Sequence, residues 1–511
     1  MSEPEEIELK LEVSADRIDR LDSLSLLKGV TPNKSKTLLS VYFDTAQQTL
    51  RNNGLSLRVR RIDDHYVQTI KKRDNRGAGL FERNEWECAI PNGRPDLHAA
   101  KNTPLTFLLS RKLRRSLKPL IETRVQRRSY SIRKNDSEIE LTVDKGKVEA
   151  AGRSSPLCEV ELELKKGKPA DLFAFAHALG KFLPVTAASK SKADRGYDLL
   201  AKNGPGPVKS EPIALDPKVT WATAFRVIAQ ACLYQIAANQ DLVRRGDAEG
   251  AHQMRIGIRR LRTAIALFED ILPDTQVQAI KADLKWLTGE LAPARELDVF
   301  IRRVVKRAKG SNTDGPTLDA VAADFRKRRE HALGKAAETV TSPHFRRLVL
   351  DAAEWIAVGE WTQNNEELSC SMRQRPVVGA AAEELSRRLK KIRRQGRHLV
   401  ELDPEHLHKL RIRAKKLRYA AEFFAGVFPS RKSARRREKF VLKLEAMQDA
   451  LGEINDIRVD EKLMRKMCRD HVRKAFVVGR LTGREDARFP TVIEDAERAF
   501  ARFNEARPFW L

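Results

Sequence analysis

At 511 residues, with 41% hydrophobic and 33% charged side chains, the chain is long enough for several cores and reads as a globular protein. Its 97 basic and 70 acidic residues leave a net charge of +27, which predicts an anionic partner. No stretch of about 18 apolar residues occurs, which argues against a membrane-spanning helix. The five cysteines (Cys88, Cys158, Cys232, Cys370, Cys468) are scattered and form no CxxC pair, which argues against a disulfide framework or a cysteine zinc site. With an acidic opening, MSEPEEIELKLEV, that lacks a secretory pattern, the expectation is a cytoplasmic protein.

Charge divides unevenly. Residues 1–200 hold 37 basic and 28 acidic side chains, a balance of +9, and the remaining 60 basic and 42 acidic side chains give +18. Residues 1–200 read mainly as strands. Residues 218–511 read as long amphipathic helices rich in Ala, Leu, Arg, Glu and Lys. Between them, NGPGPVKSEPIALDP has no periodic pattern, so the predicted organisation is 1–202, a linker over 203–217, and 218–511.

The first part alternates strictly. Glu6, Glu8 and Lys10 alternate with Ile7, Leu9 and Leu11, and Arg58 and Arg60 alternate with Leu57 and Val59. Thr69 and Lys71 flank Ile70, and Arg83, Glu85 and Glu87 surround Asn84 and Trp86. Glu138, Glu140, Thr142 and Asp144 follow the same rule, as do Glu159, Glu161 and Glu163. Period two puts each charged set on one strand face and each apolar set on the other. Two architectures suit this: an antiparallel sheet with its charged face in water, or a closed barrel with a charged, wet interior. Like charges two residues apart on one face repel, so the second requires counter-ions between them.

These segments resemble the CYTH family, the triphosphate tunnel metalloenzymes. The ExExK motif is Glu6-Ile7-Glu8-Leu9-Lys10, LRxR is Leu57-Arg58-Val59-Arg60, and TxK is Thr69-Ile70-Lys71. RxExE is Arg83 to Glu87, the acidic strand is Glu159 to Glu163, and SKxxRGY is Ser191 to Tyr197. Six motifs in family order are specific; ExExK alone is not. The strand around Ile121 to Arg128 holds several arginines, and parity favours Arg124 and Arg128 as the inward pair.

The resemblance implies an α+β domain built on a closed antiparallel β-barrel tunnel with flanking helices. It also implies Mg2+ or Mn2+, two per site, held by Glu6, Glu8, Asp144, Glu159, Glu161 and Glu163. The phosphates would lie against Arg58, Arg60, Lys71, Arg83, Arg124, Arg128, Lys192 and Arg195, with Lys10, Glu85 and Glu87 at the reacting centre. These residue types suit that chemistry: guanidinium groups fork onto phosphate, lysine acts as a compact charge, and hard divalent ions prefer carboxylate oxygen. The family's substrates include inorganic, thiamine and nucleoside triphosphates, and ATP for cyclisation. No aromatic or amide cluster for a base is evident, which favours inorganic triphosphate.

The second part is duplicated. His252 to Ala264 (HQMRIGIRRLRTA) returns 156 positions later as His408 to Ala420 (HKLRIRAKKLRYA), and Leu284 to Asp298 returns as Leu444 to Arg458. The predicted fold is all-α, two pseudo-symmetric helical bundles near 218–375 and 376–511. On a helix, Met254, Ile258, Leu261, Ile265 and Phe268 form one apolar stripe, and His252, Arg255, Arg259 and Arg262 form a second, roughly 120° away. That cationic stripe lacks the acids an ordinary solvated face would interleave.

This part resembles the CHAD domain, a conserved-histidine helical module associated with polyphosphate. The candidate polyphosphate-binding residues are therefore His252, Arg255, Arg259, Arg260 and Arg262 in one copy, and His408, Arg411, Lys415, Lys416 and Arg418 in the other. Granule association follows from the same resemblance. A metal site at the histidines ranks lower, because no second ligand lies at suitable spacing. Nucleic acid is the weaker alternative partner, since aromatic content is 6% and no stacking motif appears.

Overall fold

The computed structural model describes residues 5–72, 79–202, 204–302, 315–364, 366–467, 483 and 487–511, and only the backbone of 5, 6, 80–84, 315–321 and 458–467. The alternating segments form strands β1 (Glu5–Glu12), β2 (Lys36–Asp44), β3 (Leu55–Ile62), β4 (His65–Lys72) and β5 (Leu80–Ile90). They continue as β6 (Lys118–Lys134), β7 (Ser137–Ala150), β8 (Arg153–Lys166) and the short β9 (Thr186–Ala187). All nine join one antiparallel sheet in the order β5-β4-β3-β2-β6-β7-β8-β1-β9, with a further pairing between β1 and β5. The β7–β8 turn has two residues, Ala151 and Gly152, both at positive φ (49° and 71°), the twist that a two-residue hairpin demands.

Alternation then sorts the faces. Leu57 and Val59 of β3 pack with Phe43, Ile70 and Ile90 beneath Leu50, Ala100, Leu105 and Leu113. Arg58 and Arg60 consequently point the other way. That second face is not charged throughout: Leu38, Tyr42, Ile121, Val125, Val148 and Leu157 form an apolar patch on it, covered by Ala193 and Tyr197.

Helices α1 (Pro169–Gly180) and α2 (Lys192–Leu200) follow the strands. Ser191 and Asp194 close a capping box at the start of α2, Ser191 Oγ accepting from Asp194 N at 3.1 Å. The chain continues as α3 (Trp221–Ala238), α4 (Ala248–Leu267), α5 (Gln276–Phe300), α6 (Gly315–Thr341), α7 (Pro343–Val358), α8 (Val377–Gln395), α9 (Pro404–Phe423), α10 (Arg431–Met467) and α11 (Phe489–Asn504).

The duplicated segments are α4 and α9, each of 20 residues. Their N-caps, Asp247 and Asp403, fall at matched positions, and both carboxylates accept backbone N–H groups. The apolar stripe is buried in both: Met254, Ile258, Leu261 and Ile265 of α4 with its C-cap Phe268, and Leu410, Ala414, Leu417 and Ala421 of α9 with its C-cap Phe424. The matched rings Phe268 and Phe424 approach to 6.1 Å, and Trp221 lies 3.9 and 5.6 Å from them.

By contacts, residues 1–208, 233–238 and 341–359 make one compact unit, and residues 209–232, 239–340 and 360–511 make another. No helix among the described residues is long and apolar enough to cross a membrane.

Helix α2 seats against the apolar patch at Gly196, where an added Cβ would lie 2.2 Å from Ile121 Cγ2. Replacement of Gly196 by Ala is expected to cost about 1–3 kcal/mol through overpacking. Thermal melting of the strand unit, followed by near-UV signal, should fall by several degrees; an unchanged melt would contradict the close approach.

Candidate active site and cationic groove

Register determines which side chains meet. Residues directly opposite on antiparallel strands share a face, so the pairs Lys10–Glu161, Thr142–Glu161, Asp144–Glu159, Arg127–Asp144 and Lys71–Glu85 all point to one side. On that side lies a cavity of about 550 Å³ to which each of β1 to β8 contributes, with Asp144 and Glu159 behind its wall. Glu8, Lys10, Arg58, Arg60, Lys71, Glu85, Glu87, Arg127, Glu161, Glu163 and Lys192 are among its walls.

One side of the cavity is a tight lattice of acid and base. Asp144, Glu159 and Glu161 place one carboxylate oxygen each within 4.8 Å of the others, all buried. Lys192 Nζ, at the first turn of α2, lies 2.8 Å from Asp144, 3.0 Å from Glu161, and against Glu159. Lys10 Nζ donates to Glu161 at 2.7 Å and stands 3.2 Å from Glu8. Arg127 forks onto Asp144, Nε to Oδ1 at 2.7 Å and Nη2 to Oδ2 at 2.6 Å, and its Nη2 also reaches Glu161 at 2.8 Å.

Four carboxylates (Glu8, Asp144, Glu159, Glu161) thus face three cations, which sets the protonation states. Burial works to raise the Glu161 carboxyl, but Lys10, Lys192 and Arg127 bring it well below its ordinary value. Asp144 is likewise lowered, burial being outweighed by Lys192 and Arg127. Glu159 goes the other way, raised first by burial and also by Glu161, with Lys192 opposing. The Lys192 ammonium is raised despite burial because Asp144 and Glu159 surround it.

The other side is rich in base. Arg58 donates to Thr69 Oγ1 at 2.8 Å and to Glu87 at 3.3 Å, with Glu85 at 3.6 Å. Lys71 pairs with Glu85 at 2.5 Å. Arg60 donates to Ser40 Oγ at 3.1 Å. Burial, with Arg58 and Arg127 nearby, pushes the Arg60 guanidinium down to about 10. A charge held at such a disadvantage is relieved by an incoming anion.

A second concentration of charge lies among the helices. A cavity of about 560 Å³ is lined by Arg411, Lys415 and Arg418 of α9 and by Glu445, Gln448, Asp449, Gly452, Glu453 and Asp456 of α10. Arg259 of α4 adds its charge to Arg411 and Lys415, and Arg255 stands beside Arg259. Burial, followed by Arg259, pushes Arg255 down to about 10, and burial with Arg295 pushes His252 down to about 4. His252 Nδ1, Arg259 Nε and Arg411 Nε are buried without a hydrogen-bond partner among the described residues. Crowded guanidinium groups with an unused Nε donor, as at Arg259 and Arg411, are what an anion site needs.

Residues 4–197 match the family model of the CYTH domain, and residues 227–465 match that of the CHAD domain. The chain carries a CYTH domain followed by a CHAD domain. Its CYTH part is 28% identical over 198 residues to an inorganic triphosphatase of Haemophilus influenzae, an alignment covering 39% of this chain and 56% of that protein's length. The helical part is similar to the crystal structure of the CHAD domain from the plant Ricinus communis. That likeness has 28% identity, 60% of this chain and 98% of the other covered, and a TM-score of 0.52.

Within the CYTH domain the structure brings Lys10, Arg58, Arg60, Lys71, Glu85, Glu87, Glu8, Glu161, Glu163 and Lys192 to one cavity, with Asp144 and Glu159 behind it. The side chains of Glu6 and Arg83 fall outside the described residues, although their backbones pair across β1 and β5. Arg195 lies instead against Glu12 at 2.6 Å.

The inward choice of Arg124 and Arg128 is corrected to Arg127. Arg124 is exposed and pairs with Glu122 at 3.2 Å, and Arg128 pairs with Asp22. The pairing of Arg127 with Asp144 and of Thr123 with Ser40 puts the odd positions of β6 inside, and a one-residue slip in parity reverses every assignment. Glu140 and Lys165, also at the cavity, were not among the predicted residues; the Glu138–Thr142 alternation held the signal for the first.

In the CHAD domain, Arg255, Arg259, Arg411, Lys415 and Arg418 converge. Arg260 does not. It is buried, donates to Glu422 at 2.8 Å and stacks on Phe423 at 4.9 Å, so its place is in the core. Lys416 sits with Arg388 and Arg262 rather than with Lys415. His408 Nδ1 bonds Asn455 Oδ1 at 2.8 Å.

A hard divalent ion fits the CYTH residues. Asp144, Glu159 and Glu161 offer converging carboxylate oxygens, and Glu159 Oε2 and Glu8 Oε1 are buried without hydrogen-bond partners among the described residues.

The depressed carboxyls have a thermodynamic consequence. Groups lowered in the folded state stabilise it fully above their ordinary values, here 3.8 for Asp144 and 4.5 for Glu161, and that stability is lost as pH falls below them towards the lowered folded values, the raised Glu159 opposing in part. Metal-free protein is therefore expected to melt earlier as pH drops from about 6 to about 3. The Glu161→Gln protein should show a shallower fall; an equal slope would contradict the network's charge assignment.

Proposed function

We propose that the CYTH domain is a closed strand tunnel that hydrolyses inorganic triphosphate to pyrophosphate and phosphate, and that the CHAD domain binds polyphosphate. Closure is supported by the β1–β5 pairing, Glu8 opposite Phe81 and Leu9 opposite Leu80, which links the two ends of the eight long strands. The boundary between the domains is placed in 203–217, and two repeat copies near 218–375 and 376–511 make up the second. The observation that carries the catalytic reading is the confinement of interleaved carboxylates and cations to one cavity of about 550 Å³. The inorganic triphosphatase of Haemophilus influenzae, aligned over the CYTH part, supports it.

In this reading a triphosphate lies along Arg58, Arg60 and Lys71, where dispersed charges match a chain of phosphates. Arg127, Lys10 and Lys192 bridge toward the acidic side, so the terminal phosphate is held between the basic wall and the carboxylates. Water attacks the terminal phosphorus, the P–O–P bond breaks, and pyrophosphate leaves with the bonding pair. Asp144, Glu159 and Glu161 with Glu8 would hold Mg2+ or Mn2+, two per site, which would supply charge neutralisation and a more acidic water. Glu85 and Glu87, held by Lys71, Arg58 and Thr69, orient that water and accept its proton. The arrangement holds substrate by charge and geometry, as phosphoryl transfer requires. A cytoplasmic setting, with polyphosphate granules as the site of recruitment, accords with this reading.

Side-by-side assays of tripolyphosphate and ATP with Mg2+ and then Mn2+ are expected to show phosphate release mainly from tripolyphosphate. Glu161→Ala and Arg127→Ala should each lower kcat/KM by on the order of 100-fold or more, whereas Arg124→Ala should stay within about threefold. Equal turnover by Glu161→Ala and the natural protein, or preference for ATP, would overturn the assignment. For the helical domain, the Arg255→Ala/Arg411→Ala double variant is expected to weaken polyphosphate binding at least tenfold and to lower its salt dependence by about two ions. Displacement of polyphosphate by nucleic acid at matched charge would favour a different ligand.

A further inference from the structure

The two repeat helices differ at one matched position in the groove: α4 has Arg259 where α9 has Lys415. Lys415 lies on α9 one turn from both Arg411 and Arg418, and Arg259 approaches it from α4. From α10, Glu445, Asp449, Glu453 and Asp456 face the same cavity. Of these acids, Asp456 favours the charged lysine, but it stands 3.9 Å from Arg411; Glu445 is 3.5 Å from Arg418 and Glu453 is 2.5 Å from Arg488. Lys415 is thus half-buried beside Arg411 and Arg418, cations whose counter-charges are Asp456 for the first and Glu445 and, at 2.8 Å, Glu422 for the second.

Arginine and lysine respond differently to such surroundings. A guanidinium keeps its proton, whereas an ammonium crowded by like charge and short of water releases it. Burial, followed by Arg411 and Arg259, pushes the Lys415 ammonium down to about 7. A polyanion entering the groove reverses the balance, since each phosphate oxygen near Lys415 favours the charged form.

We propose that Lys415 makes polyphosphate binding a proton-linked event: the chain is bound together with one proton, which the Lys415 amine takes from solvent to become the ammonium that contacts phosphate. The inference rests on the polyphosphate reading of the CHAD domain and adds its regulation. Linkage runs through the α9 copy, because the matched position of the α4 copy is an arginine rather than a lysine. His252, pushed down to about 4, contributes on the acid side of neutrality rather than above it.

The sign follows directly. Lys415 is lowered in the free protein and raised when anion is bound, so protons are taken up above pH 7 and affinity falls as pH rises there. The test uses the full chain, long-chain inorganic polyphosphate and a chelator to stop turnover, with calorimetry in buffers of low and high ionisation enthalpy. The natural protein should take up close to one proton per groove, and its affinity should fall by up to about tenfold per pH unit between about pH 7.5 and 9. Lys415→Arg should bind as well or better, with less uptake and a flatter profile. Lys415→Met should bind more weakly and also lose the slope.

Binding without proton uptake in the natural protein, or an unchanged slope in Lys415→Arg, overturns the proposal while leaving polyphosphate binding in place. Failure of the natural protein to bind polyphosphate at any pH removes both the domain reading and the proposal.

Discussion

Like charges placed two residues apart on a strand repel one another, and no amount of backbone hydrogen bonding removes that cost. The CYTH domain meets this constraint by register. Glu159, Glu161 and Glu163 repel along β8, but β1 offers Lys10 opposite Glu161, β6 sends Arg127 across to Asp144 and Glu161, and α2 brings Lys192 into the middle. Glu161 is then surrounded by cations from three other elements, Glu159 meets Lys192 of α2, and Glu163 pairs with Lys165 at the end of its own strand. The strand order, the position of α2 and the chemistry of the cavity all depend on that interleaving.

The helical domain handles excess charge in the opposite way. Its cations are matched unevenly: Arg418 pairs with Glu422 at 2.8 Å, but Arg411 meets Asp456 only at 3.9 Å, and Arg259 leaves its Nε unused. The stability of the aromatic core beneath, where Trp221 joins the matched Phe268 and Phe424, allows that electrostatic disadvantage to persist. The CYTH cavity therefore holds carboxylates and cations in close pairs, whereas in the groove Arg259 and Arg411 keep an unused Nε. In the reading proposed above, one site is arranged for chemistry on a short anion and the other for holding one.

Much of this was legible in the chain itself, for physical reasons. Period-two alternation identified the strand faces because a pleated strand has no other periodicity, and Asp247 and Asp403 cap the repeat helices at the same offset that relates their interiors. Arg127 was not legible. Three arginines lie within five residues, and parity cannot choose among them until the pairing to Asp144 is known. Arg260 misled for a related reason: on a helix wheel it looks like part of a basic run, but its partner Glu422 lies 162 residues away. Tyr42, Ile121 and Leu157 show a further limit. They share a face with the charged residues because α2 needs apolar ground to pack on, a tertiary demand that strand periodicity does not encode.

Asp44 has a part in this that its distance from the cavity conceals. Its buried carboxylate accepts the backbone N–H groups of Thr45, Leu50 and Arg51 and the Tyr197 hydroxyl, at 2.7, 2.8, 3.0 and 2.7 Å. Tyr197 lies on α2, just over one turn beyond Lys192. The end of β2 thereby serves as a depth stop for the helix, in the way a collar limits how far a cork is driven. How deeply the Lys192 ammonium penetrates among the carboxylates is consequently gauged from outside the cavity, by a side chain that is not among its walls.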